Sequence, residues 1–340
     1  MDGGPPDGGP PNVLFVTSTV HAGDLGGLAP YDAICAHRAR VADLSGTFVA
    51  LLSTTDVYAV DRIRAARGWV NTAGEPFADS WEDLVAGQTF GPVLDERGRN
   101  VPAAAAWTGS TEDLAPYPSA TCSDWTSTDG NGSGGLPDEG TGAVFSVALW
   151  TCESALRVYC AQVDHHVEVA PTPVPGRARR IFVSTGVWDG AGGLAAADAN
   201  CNVAARAADV PGSYVALLAD VGASALSRLR GPSVPWVRLD GALVWDPAVG
   251  PADASTLVIS PSMTADGSYY SRLGEWTGAL SPAIAGTVET TCGGWALPRP
   301  AGARAQHGLE SRRDLRWFSG VTDSSCDGAA RTYCIEQLDE

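Results

Sequence analysis

The residue types able to do chemistry in this chain are cysteines, a few histidines, acid-rich loops and tryptophans set beside carboxylates. There are eight cysteines: Cys35, Cys122, Cys152, Cys160, Cys201, Cys292, Cys326 and Cys334. They divide four and four, and the second set repeats the spacing of the first. Cys35 to Cys122 spans 87 positions and Cys201 to Cys292 spans 91, while Cys152/Cys160 and Cys326/Cys334 are each separated by seven residues. An even count at repeated spacing predicts a disulfide framework and an oxidising compartment. A zinc site needs closely spaced C-x2-4-C pairs, which the chain lacks. With every cysteine in a bridge, no thiol remains as a nucleophile.

Four further patterns suggest ligands. Ser127, Asp129, Asn131 and Asp138 stand at positions 1, 3, 5 and 12 of a calcium-type loop, with Gly132 at the sharp turn. Asp124 and Glu139 could add charge nearby. Position 1 is Ser, position 12 is Asp, and no helices flank the stretch, so a solvated Gly/Ser/Asp loop is the competing expectation. Trp188-Asp189 and Trp245-Asp246 each set an apolar face beside a carboxylate acceptor, a pairing suited to sugar rings; filling gaps beneath long loops is the alternative. Asp164-His165-His166 could bind a metal, although exposed linker histidines without further ligands usually bind none. Gly190-Ala191-Gly192-Gly193-Leu194-Ala195 fits a dinucleotide-binding pattern, but its first-half counterpart does not, and a tight strand-to-helix turn explains the glycines. Neither G-x-S-x-G nor H-E-x-x-H occurs.

These residues sit in a tandem repeat. Val13-Leu14-Phe15-Val16 answers to Arg180-Ile181-Phe182-Val183, and Gly46-Thr47-Phe48-Val49-Ala50-Leu51-Leu52 to Gly212-Ser213-Tyr214-Val215-Ala216-Leu217-Leu218. Trp107-Thr108-Gly109 matches Trp276-Thr277-Gly278, Thr121-Cys122-x-x-Trp125 matches Thr291-Cys292-x-x-Trp295, and each half closes on Tyr159-Cys160 or Tyr333-Cys334. The expected organisation is a Gly/Pro spacer over residues 1–11, a first domain over 12–163, a Pro-rich linker over 164–178 and a second domain over 179–337. The spacer is not a signal peptide, so the disulfide reading implies a secretion or lipoprotein leader that once preceded it.

Within each half a β-branched run opens as a strand. Leu28, Tyr31, Ile34, Cys35 and Val41 then recur at helical spacing with Cys35 facing the core, and Gly46 ends the helix. Phe48 to Ser53 reads as a short buried strand. Val57 to Ala66 reads as a second helix with Arg62 and Arg64 on its polar side. Loops rich in Gly, Pro, Asp and Trp follow. This is an α+β layout. Trp107, Trp125, Trp276 and Trp295 recur in both halves and are expected in the core, whereas Trp69, Trp150, Trp188, Trp236, Trp245 and Trp317 lie in less regular stretches.

Taken together, the motifs resemble the C-type lectin-like superfamily, and within it the endostatin-like branch and its uncharacterised relatives in bacterial surface proteins. Gly46-Thr47-Phe48-Val49-Ala50-Leu51-Leu52-Ser53 is similar to the family's G-T-F-x-A-F-L-S, Asp79-Ser80-Trp81-Glu82-Asp83-Leu84 to N-S-W-x-x-L, and Trp107-Thr108-Gly109-Ser110 to W-H-G-S. The resemblance implies two tandem domains, each with two helices, short mixed or antiparallel sheets and two nested disulfides: Cys35–Cys160 with Cys122–Cys152, and Cys201–Cys334 with Cys292–Cys326. The family's calcium-lectin loop triplets are missing, and only Thr322-Asp323-x-x-Cys326 echoes its second calcium element. The zinc-binding histidines of the endostatin-like branch have no match here.

Charge narrows the partners. The 340 residues carry 22 basic and 39 acidic groups, a net charge of −17. Nucleic acid, heparin-like polyanions and anionic membrane surfaces are therefore poor partners, and no apolar run is long enough to span a membrane. The expected function is non-enzymatic: an extracellular or cell-surface binding protein recognising a glycan or a protein, without the usual calcium-lectin site and without a cofactor unless calcium occupies the first-half loop. The alternative is a structural surface protein that self-associates into arrays or filaments. A hydrolase ranks third, because no set of acid, base and nucleophile assembles.

Overall fold

A computed structural model describes residues 9–87, 93–101, 105–139, 141–270, 274–296 and 302–339, with the side chains of residue 141 and residues 321–324 excepted. The chain divides into two compact units between Pro171 and Thr172. Both are α+β.

The first unit opens with β1 (Asn12–Val16) and helix α1 (Leu28–Arg40). Then come β2 (Phe48–Ala50), β3 (Trp69–Val70), β4 (Pro76–Ala78) and the short helix α2 (Trp81–Ala86). It ends with β5 (Ala106–Trp107), β6 (Asn131–Gly135), β7 (Ala148–Thr151) and β8 (Arg157–Gln162). The strands form one mixed sheet in the order β4-β3-β1-β8-β5-β6-β7, with β2 also on β8. Strand β8 is central. It runs antiparallel to β1 (Phe15 opposite Cys160) and to β2 (Ala50 opposite Cys160), and parallel to β5 (Trp107 opposite Val158). Its period-2 alternation is absent because both faces are covered: Val158, Tyr159, Cys160 and Ala161 are all fully buried.

The second unit repeats this plan. It contains β9 (Arg179–Val183), helix α3 (Gly193–Ala207), β10 (Ser213–Ala216), β11 (Trp236–Val237) and β12 (Leu243–Trp245). Strands β13 (Glu275–Trp276) and β14 (Arg304–Gly308), helix α4 (Arg316–Ser319), and strands β15 (Val321–Ser325) and β16 (Arg331–Gln337) follow. The sheet order is β12-β11-β9-β16-β13-β14-β15, with β10 on β16.

Four disulfides tie these elements in the nested arrangement: Cys35–Cys160, Cys122–Cys152, Cys201–Cys334 and Cys292–Cys326. Each outer bridge pins the long helix onto the central strand. These close loops of 125 and 133 residues, worth roughly 5 kcal/mol each in the chain-entropy picture. Such bonds persist in an oxidising, extracellular type of environment. No helix among the described residues is long and apolar enough to cross a membrane.

The expected helix over Val57 to Ala66 is not one. Ala59, Val60, Ile63 and Ala66 are buried, as helical spacing anticipates, but the backbone closes on i−3 bonds and makes a single 3₁₀ turn at Val60–Arg62. Arg62 is not on a polar face either: it turns inward onto Asp32 at 2.6 Å, while Arg64 stays outside with Asp61. The motif Asp79-Ser80-Trp81-Glu82-Asp83-Leu84 starts α2 through a reciprocal cap, in which Ser80 Oγ accepts from the Asp83 N–H and Asp83 accepts from the Ser80 N–H. The helix α1 ends at Arg40, before Gly46, whose φ of +112° instead serves the entry to β2.

The proline-rich connection is anchored at both ends. The His165 N–H donates to Asn12 Oδ1 (3.0 Å), and Val169 N–H donates to Asp79 Oδ1 (2.7 Å), so Asp164 to Val169 pack on the first unit. Arg177 donates to the Asp339 carbonyl (2.6 Å) in the second.

Candidate functional site

The second unit holds a polar groove beside β10, and the groove's floor is built by helix α3. Among the described residues strand β10 pairs only with β16, which leaves its other edge to be satisfied by side chains. Asn202 does this as a peptide would: its Nδ2 donates to Tyr214 O (2.6 Å) and its Oδ1 accepts from the Tyr214 N–H (3.0 Å). One helical turn earlier, Asp198 accepts from the Ala216 N–H (2.9 Å) and holds Arg228 through both oxygens (2.9 and 2.8 Å). Arg228 in turn donates to Ala216 O. The first unit carries the same clasp on Asp32, Arg62 and Ala50, but Ala36 stands where Asn202 does.

The groove encloses about 740 Å³, within the range of small-ligand sites. Arg177, Ser213, Arg230, Gln337 and Asp339 line it around the clasp. Its inner charges cancel. Arg228 and Asp198 neutralise each other, and Glu336 is held by Arg180 Nε (3.0 Å) and Nη2 (2.5 Å). The Glu336 hydrogen bond raises the Arg180 pKa despite burial, so that pair stays ionised. Burial, with opposing effects from Arg180 and Glu336, pushes the Tyr214 hydroxyl up to about 12, and it donates to Pro211 O. The lining therefore offers hydrogen bonds and two outer guanidiniums, with no nucleophile beside a base.

A strand interrupts the calcium-type spacing: β6 runs from Asn131 to Gly135, about 13 Å at ~3.3 Å per residue, with Ser127 and Asp129 before it and Asp138 after it. Ser127 Oγ accepts from the Asp129 N–H (3.0 Å), a local turn. The left-handed glycine is Gly130 (φ +86°). Gly132 is a strand residue, glycine because an added Cβ would lie 2.6 Å from the Trp107 ring and 2.8 Å from Cys122 Sγ. Asp124 is spent on the Thr55 N–H (2.7 Å), and Glu139 is buried. No group of three or more His, Cys, Asp or Glu able to hold a metal occurs among the described residues, His165 and His166 included.

The Trp-Asp pairs are structural where they stand. Trp188 and Trp245 are 7% and 5% exposed, which leaves no ring face open for stacking. Their indole N–H groups donate to Ala191 O (2.8 Å) and Pro251 O (3.0 Å), while Asp189 and Asp246 accept from the N–H two residues on. Trp107, Trp125, Trp276 and Trp295 are core residues in both units, as are Trp69, Trp236 and Trp317; Trp150 is half-buried. The glycines at 190–193 make the turn into α3, with Gly192 in the left-handed region. The Thr322 and Asp323 side chains lie outside the described residues.

A second polar cluster escaped the sequence reading. Glu275 on β13 is fully buried beside Glu310 and Tyr333, and among the described residues neither carboxyl oxygen makes a well-formed hydrogen bond. Burial, then the charge of nearby Glu310, pushes its pKa well above the carboxylate range; burial also raises Glu310. The Arg331 guanidinium lies 3.9 Å over the Tyr270 ring, and among the described residues neither the Tyr270 hydroxyl nor Arg331 Nε makes a well-formed hydrogen bond. In the first unit Ala106 and Val101 take the places of Glu275 and Tyr270 in an apolar core. The one available signal was an acid replacing Ala106 next to a repeated tryptophan. On the sheet's other face His307 stacks on Trp276 with centroids 3.9 Å apart, and burial lowers its pKa to about 4.

Compared with known proteins, the chain matches no family model and no curated sequence at a significant level.

Proposed function

We propose that the protein is a non-enzymatic extracellular binding protein that recognises a glycan through the groove of the second unit. We further propose that both units are endostatin-like members of the C-type lectin-like superfamily, a reading supported by the repeated motifs and the nested disulfides. The observation that carries the functional reading is the groove itself. It is concave and rich in hydrogen-bonding side chains, and it sits on β10, which the Asn202 and Asp198 clasps hold to α3, while the Cys201–Cys334 bridge ties α3 to the neighbouring β16. Saccharides offer many hydroxyls and few apolar faces, so a polar, pre-formed concavity suits them. A disulfide-held frame keeps the ordering cost of binding low.

Glycan-array binding by the full chain tests this, with Ser213→Trp as the control. Ser213 is exposed and lines the groove, so an indole there fills the site without disturbing the core. Glycan signals that vanish in Ser213→Trp are the expected result. Binding unaffected by that substitution, or no binding across neutral and acidic glycans, refutes the reading.

A further inference from the structure

The two units share one plan, so each serves as a reference for the other, and the comparison isolates a change around Arg230. In the first unit the corresponding residue is Arg64, two positions past the clasp arginine Arg62 as Arg230 is past Arg228. Arg64 is engaged twice: it forms an ion pair with Asp61 (3.0 Å), and its guanidinium lies 4.5 Å over the Trp81 ring. In the second unit Ser227 replaces Asp61, and Ala248 stands where Trp81 does, three residues beyond the paired Ala78 or Trp245. Among the described residues the Arg230 guanidinium has neither an ion pair nor a hydrogen bond, and the residue is exposed at the groove.

A second cation joins it. Arg177 reaches the groove from the connecting segment and donates one N–H to the Asp339 carbonyl, with no carboxylate partner among the described residues. The first unit instead places a carboxylate, Asp164, in the corresponding corner, where it accepts from the Thr47 N–H (2.6 Å) and Gln162 Nε2 (3.1 Å); Leu338 takes its position two residues past Glu336. The acids Asp198 and Glu336 are neutralised by Arg228 and Arg180, which leaves, among the described lining residues, two outer guanidiniums against the carboxylate of Asp339. Local charge among these described residues is thus positive on a chain of net charge −17. A planar guanidinium recognises a planar carboxylate through paired hydrogen bonds.

We propose that the groove takes a carboxylate-bearing saccharide, such as one ending in a uronic acid, with the acid group held between Arg230 and Arg177 and the hydroxyls on the polar lining. This rests on the glycan reading above. Two guanidiniums suit one carboxylate, and the acidic remainder of the chain disfavours a long sulfated polymer.

The test is calorimetry on the full chain with a glucuronate-terminated disaccharide and its neutral glucose-terminated counterpart. Expected results are at least tenfold tighter binding of the acidic sugar, loss of that preference in Arg230→Ala, an intermediate value in Arg230→Lys, and no change in Arg64→Ala. Unchanged thermal unfolding of Arg230→Ala shows that the fold is intact. Equal binding of both sugars, blocked by Ser213→Trp but indifferent to Arg230→Ala, overturns the acidic-sugar proposal while the glycan reading stands. Binding of neither overturns the acidic-sugar proposal, and the glycan reading falls with it when the glycan array is also blank. Tighter binding of a sulfated heparin fragment than of the uronate also overturns the proposal.

Discussion

His307 should cost the second unit stability on acidification. The residue is 7% exposed, its ring stacks on Trp276, and among the described residues its Nδ1 has no hydrogen-bond partner, so the folded state disfavours an imidazolium there. Burial lowers the folded pKa from 6.5 to about 4. The unfolded chain therefore takes up a proton near pH 6.5 that the folded chain refuses until about pH 4. The stability His307 contributes is present above pH 6.5 and is lost as pH falls through this window. Linkage puts the loss at about 2 kcal/mol by pH 5 and about 3 kcal/mol by pH 4. Glu275 and Glu310 work in the opposite sense, because their raised pKa values favour the protonated fold at low pH. His307→Phe separates the two, since phenylalanine keeps the stack and cannot titrate. Urea unfolding of both proteins at pH 7, 6, 5 and 4, with disulfides intact, should show the wild type losing about 2 kcal/mol more than the variant between pH 7 and 5. Parallel curves within about 0.5 kcal/mol would refute the buried-neutral reading.

Other perturbations follow from the same physics. Glu275→Gln should raise the urea midpoint near neutral pH, where the native carboxyl resists ionisation, and the gain should vanish as pH falls below the unfolded carboxylate pKa of 4.5. Ser123 is exposed at φ +53° in a left-handed turn that the second unit builds with Gly293 and Gly294, so Ser123→Gly should stabilise by about 1 kcal/mol in thermal or urea unfolding. Gly132→Ala drives a methyl group against Trp107 and Cys122 and should cost about 1–3 kcal/mol in the same assay, whereas Gly130→Ala meets no neighbouring atoms and pays only for its left-handed backbone.

Much of the architecture was legible because it is written locally and written twice. The opening strands, the helix bearing Cys35 or Cys201, the Thr-Cys-x-x-Trp turns and the closing Tyr-Cys strands all appear as repeated short strings. The α+β class follows from how strand and helix periods alternate along them. Cysteine spacing identified a disulfide framework, and the resemblance supplied its nested order. What misled was a pattern read without its partners. Val57 to Ala66 has helical burial spacing, yet Arg62 is drawn inward to Asp32 and Ala50 O, and the segment turns as 3₁₀. Ser127 to Asp138 has calcium-loop spacing, yet pairing with β5 and β7 stretches its middle into a strand.

The sequence by itself determined the two-unit repeat, the cysteine framework and the core position of the four repeated tryptophans, since each depends on residue type and short-range spacing. Only the tertiary structure decided where unsatisfied polarity lies. Glu275 and Glu310 are 35 residues apart in the chain and become neighbours because β13 and β14 pair; Arg177 and Arg230 meet at one groove because the connecting segment returns to the end of β16. Burial and charge pairing are properties of what surrounds a side chain, and those surroundings come from distant strands. Arg64 and Arg230 look alike in the sequence, and the carboxylate and indole that engage the first alone separate their roles.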